Sequence, residues 1–137
     1  MSCGRVFPAA LLVLLSAVTQ AQTGDLRPVP VGADHDPLYV DPATVSRSGS
    51  QVSFKYVLDV PAALEGTAPR RWRSNEMTAV IDCAANAFSV GYVEAYTGPR
   101  ATGDVTGRYS SSAAERRPAP IVAGGTFAYL ARHLCPR

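Results

Sequence analysis

The sequence predicts an α+β fold: an antiparallel β-sheet meander with a short C-terminal helix tethered to the sheet by a disulfide between Cys83 and Cys135. Three observations carry that expectation. Apolar residues recur at every second position from Val52 to Val60 and again from Met77 to Cys83, the period of a strand with one covered face. After Thr126 the period becomes helical, with Phe127, Leu130, Ala131, Leu134 and Cys135 on one stripe. Once an export signal is removed, only two cysteines remain, one on each of these elements.

The chain has 137 residues, and its beginning sets the compartment. Arg5 precedes the apolar run Ala9 to Val18, which ends in Thr19-Gln20-Ala21, the layout of a secretory signal peptide cleaved after Ala21. The run has about ten residues, half the roughly twenty that a membrane-crossing helix needs, so no transmembrane segment is expected after signal removal. Cys3 lies ahead of the run and leaves with it, so it cannot become the acylated first residue of a lipoprotein. Residues 1–21 are read as signal peptide, 22–36 as a flexible lead-in and 37–137 as one domain, in the periplasm or at the cell surface. Exported thiols oxidise, which favours a Cys83–Cys135 disulfide; two buried free thiols, the alternative, would suit a cytosolic protein.

The lead-in holds Arg27-Pro28-Val29-Pro30 and Asp34-His35-Asp36, polar and proline-rich. Tyr39-Val40 then reads as a short strand before Asp41-Pro42, and Ser48-Gly49-Ser50 turns the chain into the strand Val52 to Val60, a loose hairpin. From Ser74, residues Met77, Ala79, Ile81 and Cys83 share the inward side of a strand that ends at an Ala84-Ala85-Asn86 corner. On the return strand, Phe88, Val90, Tyr92, Glu94 and Tyr96 are expected on one face. Thr97 to Gly103 is a turn-rich loop, and Val105 to Tyr109 reads as a further strand. Pro118 and Pro120 exclude a central strand from Ser110 to Gly125, which is expected as an extended connection. Thr126 is the expected cap of the helix, and Pro136 its stop.

The function classes narrow by what the residues lack. Lys plus Arg number 13 and Asp plus Glu 11, and removing Arg5 leaves them one apart, a balance that gives no reason to expect nucleic acid as a partner. With two histidines, no G-x-S-x-G elbow and no P-loop at Gly124-Gly125-Thr126, a small hydrolase has no visible apparatus and no cofactor is expected. His133 falls off the apolar stripe and reads as a solvated surface residue. Asp34-His35-Asp36 offers ligand atoms, but three consecutive residues rarely converge on one ion, so no metal site is expected. Arg70-Arg71-Trp72-Arg73 joins three cations to the only Trp. It reads either as a contact for an acidic ligand, glycan or partner, or as an exposed loop whose Trp tucks onto the sheet edge. Glu94, among aromatics, marks either the strand's arrival at solvent or a local ligand contact.

Four stretches together resemble the bacterial surface-adhesin protein E-like domains. They are Tyr39-Val40-Asp41-Pro42-Ala43-Thr44-Val45, the strand Val52 to Asp59, Ile81-Asp82-Cys83 with its return strand, and Pro120-Ile121-Val122-Ala123-Gly124-Gly125-Thr126 leading to Cys135. The resemblance implies an antiparallel sheet with a disulfide-tethered C-terminal helix. It also implies a non-enzymatic binding role, with host extracellular-matrix or plasma proteins as partners. Where such proteins often carry a Trp ahead of a Pro-Gly-Ser/Thr turn, this chain has Arg116-Arg117-Pro118. The rival reading is a periplasmic structural or envelope-assembly module without a host ligand, because a fold does not fix a function.

Overall fold

The structure, a computed structural model, describes residues 24–60 and 72–137; the expected signal peptide and Arg70 and Arg71 lie outside the described residues. Six strands pair antiparallel in chain order: β1 (Arg27–Pro28), β2 (Leu38–Ser48), β3 (Gln51–Asp59), β4 (Ser74–Asp82), β5 (Ala87–Tyr96) and β6 (Val105–Ser110). This is the expected meander. A two-residue strand, β7 (Ala119–Pro120), pairs with the start of β5, and helix α1 spans Thr126–Leu134. The proline in β7 sits where prolines are tolerated, at the margin of a sheet.

Alternation along β3 and β4 turns Val52, Phe54, Tyr56, Ala79 and Ile81 toward one side, where α1 covers them. Leu130 of α1 is 0 % exposed, and Phe127 and Leu134 flank it on the helical stripe. Phe127 stacks on Phe88 of β5 with ring centroids 3.7 Å apart and stands edge-on to Tyr56. Cys83, just past β4, is bonded to Cys135, the residue that caps the helix C-terminus, across a sequence separation of 52. A helix of nine residues is marginal in isolation, so this bond and the buried stripe together hold it on the sheet.

Four details differ from the sequence-based expectation, each for a local reason. Within the stretch expected as a lead-in, Arg27 and Pro28 pair with Val40 and Tyr39, and Val29 is buried in the core. Strand β2 runs well beyond Tyr39-Val40, because the register slips between Asp41 and Ser46 and accommodates Pro42. There the Thr44 hydroxyl donates to the Asp41 carbonyl at 2.7 Å and accepts the Lys55 N–H at 2.9 Å, replacing ladder bonds lost in the bulge. The helix is capped by Gly125 in extended backbone and not by Thr126; the Thr126 hydroxyl instead meets Nε2 of His35 at 2.9 Å. His35 thereby docks its loop against the start of α1, with its ring edge-on to Tyr129.

The fourth difference changes a face. The register of β5 against β4 slips between Val90, opposite Ala79, and Tyr92, opposite Thr78, leaving Gly91 as the extra residue. One inserted residue inverts the alternation that follows it. Phe88 and Val90 therefore pack in the core with Ala79 and Ile81, while Tyr92, Glu94 and Tyr96 emerge on the opposite face. The five residues expected on one side are split between two.

Candidate binding surface

With the parity of each strand settled, the sheet has two unlike faces. The nine residues of α1 span about 13 Å, whereas six strands at about 4.8 Å spacing make a sheet roughly 24 Å wide. The helix leaves part of its own face uncovered. Beside it lies an apolar depression of about 370 Å³ walled by Tyr56, Leu58, Met77, Phe88 and Phe127, with Val122 at its rim and 69 % exposed. A second depression, of about 300 Å³, is lined by Trp72, Asn75, Val93 and Ala95. The register sets Met77 opposite Val93 and Leu58 opposite Asn75, so the two depressions adjoin on one face.

Trp72 and Arg73 are the described half of the cationic loop. The Val60 N–H donates to the Arg73 carbonyl and the Arg73 N–H to the Tyr96 carbonyl, both at 2.8 Å, so the backbone here clasps the ends of β3 and β5. Trp72 is 38 % exposed and lies along the depression floored by Val93 and Ala95. Trp and Arg are both residue types enriched at the centres of protein–protein contacts.

The far face carries most of the sheet's polar side chains, with Val57 buried at one end of it. Glu94 lies opposite Arg108 and accepts from its Nε at 2.9 Å, from the Tyr92 hydroxyl at 2.9 Å and from the Tyr96 hydroxyl at 2.7 Å. These donors, Tyr96 first, hold the Glu94 carboxyl below the usual carboxylate range. Burial and the bond to Glu94 push the Tyr96 hydroxyl up. Lys55 of β3 reaches Glu76 of β4 at 3.2 Å on the same face. One end of this face is closed by the loop from Thr97 to Gly103. The Ser74 hydroxyl donates to the Gly98 carbonyl at 2.6 Å and accepts the Ala101 N–H at 2.9 Å. Asp59 accepts the Arg100 N–H at 2.7 Å, and the Arg100 guanidinium lies 5.3 Å from the Tyr39 ring centre. These bonds hold Arg100 and Ala101 at φ of 56°, a conformation unusual for non-glycine residues.

Of the residues weighed from sequence, His133 is exposed on α1, and His35 serves the fold as described above. Among the described residues, no group of three or more His, Cys, Asp or Glu side chains could hold a metal ion. Arg108 was missed, and Arg116 was read only as part of a departure from the family pattern. Arg116 follows a reciprocal cap in which Glu115 accepts the Ser112 N–H at 2.8 Å and the Ser112 hydroxyl accepts the Glu115 N–H at 3.3 Å. That S-x-x-E pattern was readable in Ser112-Ala113-Ala114-Glu115.

This topology, a six-strand meander with a terminal helix bonded through its last turn, coincides with a sequence match. The profile described as surface-adhesin protein E matches residues 28–136. The chain belongs to the surface-adhesin protein E family. Solved structures agree in fold. The crystal structure of protein E from non-typeable Haemophilus influenzae superposes with a TM-score of 0.54 at 16% identity, covering 90% of this chain and 82% of that one. A second structure of Haemophilus influenzae protein E gives 0.56 at 16% identity, covering 88% and 90%. Its crystal form II gives 0.58 at 16% identity, covering 90% and 96%. No curated protein matches the sequence. Membership in a surface-adhesin family implies an exported or surface location, and among the described residues no helix is long and apolar enough to cross a membrane.

Proposed function

We propose that this member of the adhesin E family is exported through its first 21 residues and acts by binding, not turnover, capturing host extracellular-matrix or plasma proteins. One observation carries the reading: the helix-side face of the sheet stays apolar and open beyond α1 and ends at half-exposed Trp72 beside Arg73. An aromatic anchor over an apolar floor with cations at its edge suits a protein partner, because the floor supplies desolvation and the arginines supply orientation. Arg70 and Arg71 precede Trp72 in sequence and carry two further cations.

The experiment measures binding of the purified, disulfide-bonded protein to immobilised laminin, vitronectin and plasminogen, alongside protease treatment of intact cells. Low-micromolar binding, weakened by Trp72→Ala and by the triple change of Arg70, Arg71 and Arg73 to Ala, supports the reading. The arginine share of the affinity declines with added salt, since exposed charge attraction is screened. Absence of binding to all three, with the protein protected inside intact cells, identifies a periplasmic envelope module instead.

A further inference from the structure

We propose that the free edge of β6 is a docking site for an extended segment of a protein partner, which joins the sheet as an antiparallel strand and sets one large apolar side chain over Gly107 into the depression beside Trp72. This rests on the reading of Trp72 as part of a protein-binding surface and adds the form in which the partner is held.

The two edges of the sheet are unlike. At one, β1 is two residues long and contains Pro28, and both features keep an edge from pairing further. At the other, β6 pairs only with β5, and its residues from Thr106 to Ser110 are exposed. The register fixes which of their backbone groups are free. The Ser111 N–H donates to the Gly91 carbonyl at 2.7 Å, and bonded and unbonded pairs alternate along an antiparallel ladder, so Tyr109 and Gly107 are the residues that bond to β5. The N–H and C=O of Arg108 and Ser110 therefore point away from β5, and no backbone group of the described residues bonds to them. The strand has no proline, and its one cation is turned inward to Glu94 at 2.9 Å instead of guarding the edge.

Gly107 supplies the socket. It lies opposite Ala95 on the helix-side face, and a β-carbon built on it would meet nothing within 4 Å. With Thr106 it lines the depression of about 300 Å³ that Trp72, Val93 and Ala95 share, so the depression opens at the sheet edge where β6 has no side chain. On an added antiparallel strand the residue opposite Gly107 falls at an unbonded pair, where facing α-carbons approach to about 4.5 Å. Its side chain stands on the helix-side face. A large aromatic or aliphatic group there covers the glycine and rests on Val93, Ala95 and Trp72, and an aromatic laid across an edge glycine pins the register of the pair. Backbone chemistry selects an extended segment, since a helical or folded surface has no row of free N–H and C=O groups to offer Arg108 and Ser110. A second copy of this chain fits less well. Paired about Arg108, two guanidinium groups would stand opposite each other, which is destabilising; paired about Tyr109, only Ser111 would come to Gly107 and the depression would stay unfilled.

Amide spectra of the isotope-labelled, disulfide-bonded protein test this with a short capped peptide of alternating threonine and valine carrying one central phenylalanine, and with the same peptide carrying alanine there. The expected result is a saturable shift of Gly107 to Ser110 and of the Trp72 indole N–H, slowed hydrogen exchange at the Arg108 and Ser110 amides, and binding of the alanine peptide weaker by roughly tenfold or more. Gly107→Val, whose β-carbon enters open space, should abolish binding while leaving the unfolding temperature unchanged or higher. Ser110→Pro removes a free N–H and no bond to β5, and should weaken binding roughly tenfold; Arg132→Ala on α1 should leave it intact. Capture of laminin, vitronectin or plasminogen that is lost in Trp72→Ala but kept in Gly107→Val would overturn the edge proposal and leave the Trp72 surface standing. Peptide pairing at the edge without capture of any of the three supports the edge proposal and removes those host proteins as partners. No saturable shift, shifts confined to the α1 side, equal binding of the alanine peptide, unchanged affinity in Gly107→Val, or protection of the Arg108 and Ser110 amides by self-association before peptide is added would each overturn it.

Discussion

Gly91 of β5 crosses Thr78 of β4 so closely that a β-carbon at Gly91 would stand 3.1 Å from the Thr78 hydroxyl oxygen. The same oxygen accepts the Tyr92 N–H at 3.0 Å, so Thr78 holds the bulge from which Tyr92, Glu94 and Tyr96 take their face. Thr78→Val keeps the β-branched shape and deletes the acceptor. We expect a loss of about 1 to 2 kcal/mol in urea-induced unfolding, the cost of leaving a part-buried N–H without its partner. A change of only a few tenths would mean that strand pairing alone sets the bulge.

Acid should loosen the far face. Glu94 is held below the usual carboxylate range by Tyr96, Arg108 and Tyr92, and Asp82 by the Ala85 N–H, the Ser50 hydroxyl and the Ala84 N–H. In each case the folded chain binds its proton less readily than the unfolded chain, so stability rises with pH across the interval between the two values. The contribution is complete above the unfolded carboxylate range, about 4, and is lost as pH falls through the folded value. Thermal unfolding from pH 6 to pH 2.5, taken as an experimental range, should show a midpoint that drops below about pH 4.5. Glu94→Gln should flatten that drop; an unaltered profile would remove Glu94 from the account.

The disulfide closes a loop with a sequence separation of 52. On the chain-entropy model such a closure contributes about 4 kcal/mol, a large part of the roughly 5 to 15 kcal/mol by which a domain is stable. The Cys83→Ala, Cys135→Ala double variant should therefore unfold at much lower urea than the oxidised protein. Free thiols recovered from native exported material would contradict the bond itself.

Leu130 is fully buried between α1 and the sheet. Leu130→Ala should cost about 3 kcal/mol in equilibrium unfolding, through lost burial and the cavity left behind. A cost below about 1 kcal/mol would show α1 to be held by its disulfide and not by its apolar stripe.

Legibility in the sequence followed the regularity of each element. Strands β3 and β4 were readable because nine paired positions run without a register break, so period two survives intact in the residue order. Helix α1 was readable because Phe127, Leu130 and Leu134 repeat at helical spacing, though its cap was misplaced by one residue when His35 engaged Thr126. Strand β5 was found but its faces were misassigned, since a single unpaired glycine leaves no mark on composition while inverting everything after it. Among the binding features, Trp72 was visible from its residue type. The depression beside it was not, because Asn75, Val93 and Ala95 come together only through strand pairing.

The sequence by itself determined the α+β architecture, the strand order of a meander and the pairing of Cys83 with Cys135, which depend on local periodicity or, with Cys3 set aside in the expected signal peptide, on a cysteine count with one solution. Only the tertiary structure decided which side chains share a face, where the apolar sheet stays open beside α1, and how Arg108 meets Glu94 on the far face. The faces follow from the bulge in β5, and a bulge is a relation between two strands: the hydrogen-bond register that defines it does not exist until both are in place.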